Sequence, residues 1–137
     1  MKILKKLALC LISIVILTAC STDENINAET ESADLIGSWN VTSSKLNSNT
    51  VTSYNKITFT SNNRATFLYK GAGNNGQDIT DTCSWTIKGD VLTITWDSAD
   101  AGLEVYKLNV IEFTATKLKW STVISGEGTL IEELAKT

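Results

Sequence analysis

Cys83-Ser84-Trp85-Thr86-Ile87-Lys88-Gly89-Asp90-Val91-Leu92-Thr93-Ile94-Thr95-Trp96 is the stretch that decides the fold class. Cys83, Trp85 and Ile87 share one face, and after Gly89-Asp90 so do Leu92, Ile94 and Trp96, with Thr93 and Thr95 opposite. Side chains along a strand point alternately to its two faces, so this period of two broken by a Gly-Asp turn predicts a hairpin with one dry side. The same rhythm continues upstream. Ala65, Phe67 and Tyr69 form a face, Asn62-Asn63 offers a turn, and before it Ile57 and Phe59, then Trp39, Val41 and Ser43, alternate with polar neighbours. Downstream, Tyr106, Leu108 and Val110 line up before Ile111 and Phe113 shift the phase, and Leu118, Trp120 and Thr122 follow. Ser125 to Gly128 turns the chain, and Leu130 to Leu134 closes it. Thr129 to Lys136, TLIEELAK, has the composition of a helix, but its place across a Gly126/Gly128 turn suits a strand. Eight strands in consecutive hairpins predict an all-β, antiparallel, up-and-down barrel or sandwich.

Three segments resemble a known family. Leu35-Ile36-Gly37-Ser38-Trp39 resembles the G-x-W start of the first lipocalin strand. Trp85 to Leu92 and Phe113 to Leu118 are similar to later hairpins of bacterial lipocalin-like lipoproteins. The resemblance spans residues 35–137 and implies a small eight-stranded lipocalin-like barrel, closed or partly open, in which Gly37 and Trp39 form a structural plug at the closed end. Two features depart from the family. Its Thr-Asp-x-x-Tyr motif is absent, since Thr80-Asp81 lies too early and is followed by Ser84, and the only arginine, Arg64, is not placed to pack on Trp39. Eight strands of ~6 residues with turns of ~4 take up most of the chain, which predicts short strands and a shallow cavity.

Residues 1–19 read as a secretory signal. Lys2, Lys5 and Lys6 precede the uncharged run Leu7 to Leu17, which is too short to span a bilayer, since that takes about 20 apolar residues. Leu17-Thr18-Ala19-Cys20 resembles the bacterial lipobox, which implies cleavage before Cys20, a diacylglycerol on its sulfur, and a lipid-anchored domain at the cell outer membrane, facing the periplasm or the surface. Residues 20–34 then form the lipidated cysteine and a tether. Ser21 to Asp34 holds five acids and no base, a composition that predicts disorder. Residues 35–137 hold ten acids and nine bases, so the acidity of the chain belongs to the tether.

The chain has no histidine and a net charge of -3. The first removes imidazole-based catalysis and most zinc sites, and the second argues against nucleic acid as a partner. Cys10 leaves with the signal and Cys20 is the anchor, so Cys83 is a lone thiol without a base and reads as a small buried hydrophobe. Gly71-Ala72-Gly73-Asn74-Asn75-Gly76 matches a dinucleotide fingerprint, but a strand follows where the motif needs a helix, so it reads as a hairpin loop. Asp97, Asp100 and Gly102, or Asp78 and Asp81, are calcium candidates without EF-hand spacing and read as solvated turn residues. No cofactor, metal or enzymatic activity is expected.

Phe67, Tyr69, Trp85, Trp96 and Trp120 are the candidate ligand-binding residues, able to line an apolar pocket or a sugar-stacking platform. The plainer reading is that they are the core of a small β-protein. Two functions follow: a module binding a small apolar or amphipathic molecule, or a structural subunit docking on an envelope complex through its outer face.

Overall fold

The computed structural model describes residues 32–97 and 104–137. The signal 1–19, Cys20, the tether as far as residue 31, and the calcium candidates Asp100 and Gly102 lie outside the described residues. The last residues expected in the tether are helical instead: Ser32–Leu35 form a single turn, α1, which buries Leu35 completely.

Nine strands follow: β1 (Gly37–Leu46), β2 (Asn49–Thr50), β3 (Lys56–Phe59), β4 (Arg64–Tyr69), β5 (Ile79–Lys88), β6 (Val91–Trp96), β7 (Val105–Phe113), β8 (Lys117–Ile124) and β9 (Gly128–Lys136). Apart from the two-residue β2, which folds back on the end of β1, each pairs antiparallel with its neighbours in chain order. Strand β1 also pairs with β9, from Trp39 opposite Lys136 to Leu46 opposite Leu130. That ladder closes eight strands into a barrel, so the partly open alternative is corrected. Closure leaves β1 and β9 without a free edge, and their backbone groups are satisfied by each other. The TLIEELAK segment is strand β9, as its position across the glycine turn predicts.

Alternation drives the strands inward. Ile57 and Phe59, Ala65 and Phe67, Cys83 and Trp85, Leu92 and Ile94, and Leu118 and Trp120 are all buried. Full burial of a Leu, Ile or Phe side chain contributes about 1.5–3 kcal/mol, so these pairs hold the barrel against the entropy of ordering it. Two bulges reset the phase. Between Val41 and Ser43 the register of β1 shifts, which turns Ser44 inward where strict alternation predicts Ser43. Between Val110 and Glu112 the bulge in β7 turns Ile111 out to solvent, and Phe113 packs again on the core. The phase shift at Ile111 and Phe113 in the sequence is this bulge.

Candidate ligand-binding site

The two ends of the barrel differ. At one end Trp39 is wholly buried and donates its indole N–H to the Leu35 carbonyl at 2.9 Å. Phe113 lies 6.0 Å from the Trp39 ring, and the Lys136 ammonium stands 5.0 Å over it while donating to the Asp34 carbonyl at 3.1 Å. A lysine from the last strand therefore covers the tryptophan, although no arginine is available to do so. Gly37, at φ 128, lets the chain enter here, and a side chain at that position would meet Lys136.

Toward the other end the interior is empty. A cavity of about 620 Å³ opens to solvent past the exposed Thr80, Asp81 and Glu104. The longer strands β5 and β7 to β9 extend the wall around this space. One wall is aromatic. Tyr54 meets Phe67 edge-on at 4.6 Å and Tyr69 at 6.2 Å, and Phe67 meets Trp96 at 4.6 Å. Ile94, Leu108, Ile124 and Leu130 add aliphatic surface, and Tyr106 faces them from β7. A volume of this size lies within the ~300–1,000 Å³ common for organic ligands.

The floor is polar. Leu130, Glu132 and Leu134 share the inward face of β9, and Glu132 is 3% exposed between a lining residue and a core residue. Its Oε1 accepts from Ser44 Oγ at 3.2 Å and Ser53 Oγ at 2.5 Å. Its Oε2 accepts from Tyr54 Oη at 3.2 Å and Trp120 Nε1 at 2.9 Å. Four donors on two oxygens satisfy an acceptor-only carboxylate, which is the condition for keeping one inside a barrel. Burial, and next the charge of Glu132, push the Tyr54 hydroxyl well above its ordinary pKa. Burial likewise pushes Tyr69 up to about 12.

These features meet in a family. Its profile, described as a lipocalin-like domain, matches residues 35–120. The chain belongs to the lipocalin-like domain family.

The lipocalin-like barrel is similar to a solved lipocalin-like protein from Bacteroides uniformis ATCC 8492 at 14% identity and TM-score 0.56, covering 76% of this chain and 99% of that one. A redesigned β-barrel matches at 16% identity and TM-score 0.50, covering 77% and 93%. Bovine odorant binding protein, solved with its natural ligand, matches at 14% identity and TM-score 0.44, covering 80% and 76%. At these identities the likeness concerns the fold. No curated protein matches the sequence.

Within the lipocalin-like barrel, the five aromatic residues singled out from sequence divide. Phe67, Tyr69 and Trp96 line the cavity. Trp85 does not: it packs edge-on against Phe59 at 5.2 Å and donates to the Arg64 carbonyl at 3.0 Å. Trp120 is also outside the lining and reaches it only through Glu132. Asp81 enters the sequence reading only as a calcium candidate and Tyr106 only as part of a strand face, while Tyr54, Glu104 and Glu132 are not singled out there. Two of them carried a readable signal, since Asp81 lies two residues before Cys83 and Glu132 two before Leu134, each on an inward phase.

Near the rim, both guanidinium nitrogens of Arg64 reach the Asp97 carboxylate, and Thr82 Oγ1 donates to it at 2.6 Å. The Arg64 hydrogen bond, then that of Thr82, hold Asp97 down at about 2. Asp78, another of the acids weighed as calcium ligands, caps the loop by accepting from the Gly71 backbone N–H at 3.0 Å. Cys83 is buried, and burial pushes its thiol up to about 11, which suits a packing role rather than a nucleophilic one.

Proposed function

We propose that this lipocalin-like barrel binds a small apolar or amphipathic molecule in its cavity, and that the chain is held at the outer membrane of a cell envelope by a lipid on Cys20. The observation that carries the binding reading is the 620 Å³ space with an aromatic wall above a polar floor. A small barrel with no such role would fill that space with side chains, as this one does around Trp39 and Trp85. The anchoring half rests on sequence: the basic start, the short apolar run, and Leu17-Thr18-Ala19-Cys20.

The docking alternative needs a contiguous apolar patch on the outer face. Ile111 and Val123 are exposed on neighbouring strands, but the polar pairs Asn109–Ser121 and Glu112–Lys119 occupy the ladder of β7 and β8. The cavity is the stronger feature.

Native mass spectrometry of the chain purified from a bacterial host tests the binding reading. The expected result is an added mass that denaturation releases. A bare protein mass that also stays bare against a panel of fatty acids, amines and oligosaccharides overturns it. For the anchor, Cys20→Ser is expected to move the chain from the membrane to the soluble fraction and abolish incorporation of labelled palmitate. Unchanged fractionation and labelling overturn that half.

A further inference from the structure

The sign of the cavity narrows the ligand class. Four acids line it: Asp81, Asp97, Glu104 and Glu132. Asp97 is neutralised by Arg64, whose own side chain lies outside the lining. Among the described residues no lysine or arginine lines the cavity, and neither Asp81, Glu104 nor Glu132 has an ion-pair partner. The stretch 98–103 that joins Asp97 to Glu104, Ser-Ala-Asp-Ala-Gly-Leu, contains no base.

Acids around an open rim would ordinarily be a solvated cluster. Here one of them is at the floor. The four partners of Glu132 are neutral hydroxyl and indole groups, which stabilise the carboxylate without cancelling its charge. Its field therefore extends into a space walled by protein, where charges are screened less than in water. The aromatic wall adds to the same preference independently. Aromatic rings attract cations through the negative potential of their faces, and Tyr69 and Trp96 line the space that a ligand would occupy. A carboxylate-headed ligand such as a fatty acid would enter with no counter-charge to meet it.

We infer that the cavity selects an organic cation, a protonated amine carried on an apolar body, paired with Asp81 and Glu104 against the aromatic wall, with the charge of the fully hydrogen-bonded Glu132 beneath it. The inference rests on the binding reading above and specifies its ligand class.

Three probes with one apolar body separate the two: 2-(1-naphthyl)ethylamine, 1-naphthaleneethanol and 1-naphthylacetate, each titrated calorimetrically into the full chain at neutral pH. The amine is expected to bind about tenfold tighter than the alcohol, and the carboxylate weakest. That advantage shrinks on raising salt from ~0.05 M to ~0.5 M. The double variant Asp81→Asn/Glu104→Gln changes only exposed carboxylates and keeps the fold. It is expected to cut the ratio of amine to alcohol affinity several-fold, while Glu132→Gln tests the floor in the same way. Equal binding of the three probes, tighter binding of the carboxylate, or an unchanged ratio in the double variant overturns cation selectivity and leaves the binding reading standing. Failure of all three probes to bind overturns the inference, and together with a bare native mass against the panel above it overturns the binding reading too.

Discussion

Trp120 and Glu132 stand directly opposite each other on β8 and β9, and the indole N–H of one donates to the carboxylate of the other at 2.9 Å. The bond ties a fully buried core residue to the floor of the cavity, so packing and binding share a boundary. Any change to the floor is felt as stability, and any loosening of the core reaches the site.

The first prediction concerns that bond. Trp120→Phe keeps an aromatic ring and removes the donor, leaving one carboxylate oxygen of Glu132 short of a partner. Urea unfolding is expected to show a loss of about 1–3 kcal/mol. Stability equal to that of the parent chain would mean that a water replaces the indole N–H at no cost.

Gly128 faces a harder limit. It sits at φ 128, and a Cβ there would clash with the Asn47 side-chain amide. Asn47 cannot easily move, because its side chain accepts from the Thr129 N–H at 3.0 Å and donates to the Glu127 carbonyl at 2.7 Å. Gly128→Ala combines a disfavoured backbone with a clash and is expected to destabilise by about 2 kcal/mol or more. Thermal unfolding that leaves the midpoint in place would show that the turn accommodates a methyl group.

At the closed end, Lys136→Met removes the charge above Trp39 and the bond to the Asp34 carbonyl but retains an apolar stem. A loss of about 0.5–1.5 kcal/mol is expected, recovered largely by Lys136→Arg. If Met and Arg behave alike in denaturant titrations, only the stem matters.

The Arg64–Asp97 pair predicts a specific acid response. The folded chain holds Asp97 at about 2, below the ordinary 3.8 that the unfolded chain approaches. The pair therefore contributes its full stability above pH ~4, and that contribution falls away as pH drops toward the folded value. Both side chains are solvent-accessible, so the contribution is small. Asp97→Asn is expected to flatten the stability profile between pH ~4 and ~2 and leave its slope at higher pH unchanged. An identical acid limb in the variant would show that the pair does not hold in solution.

How much of this was readable in the sequence depends on periodicity. A barrel wall has one dry and one wet face, so Ile57 and Phe59, or Leu92 and Ile94, declare their direction by alternation alone. Periodicity does not report height along the barrel axis. Trp85 and Trp96 share a face in the sequence, yet one packs in the filled end and the other borders the cavity, because strand stagger sets their levels. Nor does it foresee a bulge such as the one that turns Ser44 inward. The inward phase of Glu132 could be read, but its role was hidden twice over. Its segment has helix-forming composition, and its partners Ser44, Ser53 and Tyr54 precede it by 78 to 88 residues, so only closure of the barrel reveals why an acid occupies an apolar position.

Strand β9 supplies both the ladder that closes the barrel and the carboxylate at the cavity floor. The strands before Gly128 pair with their neighbours in hairpins, but none of those hairpins places Glu132 beneath the aromatic wall. The cavity floor and the seam of the barrel are completed in one step, when β9 pairs with β1. Non-local pairing of that kind is slow relative to hairpin formation, so the floor forms only when the barrel closes. The seam and the cavity floor therefore stand or fall together, and a truncation within β9 removes both.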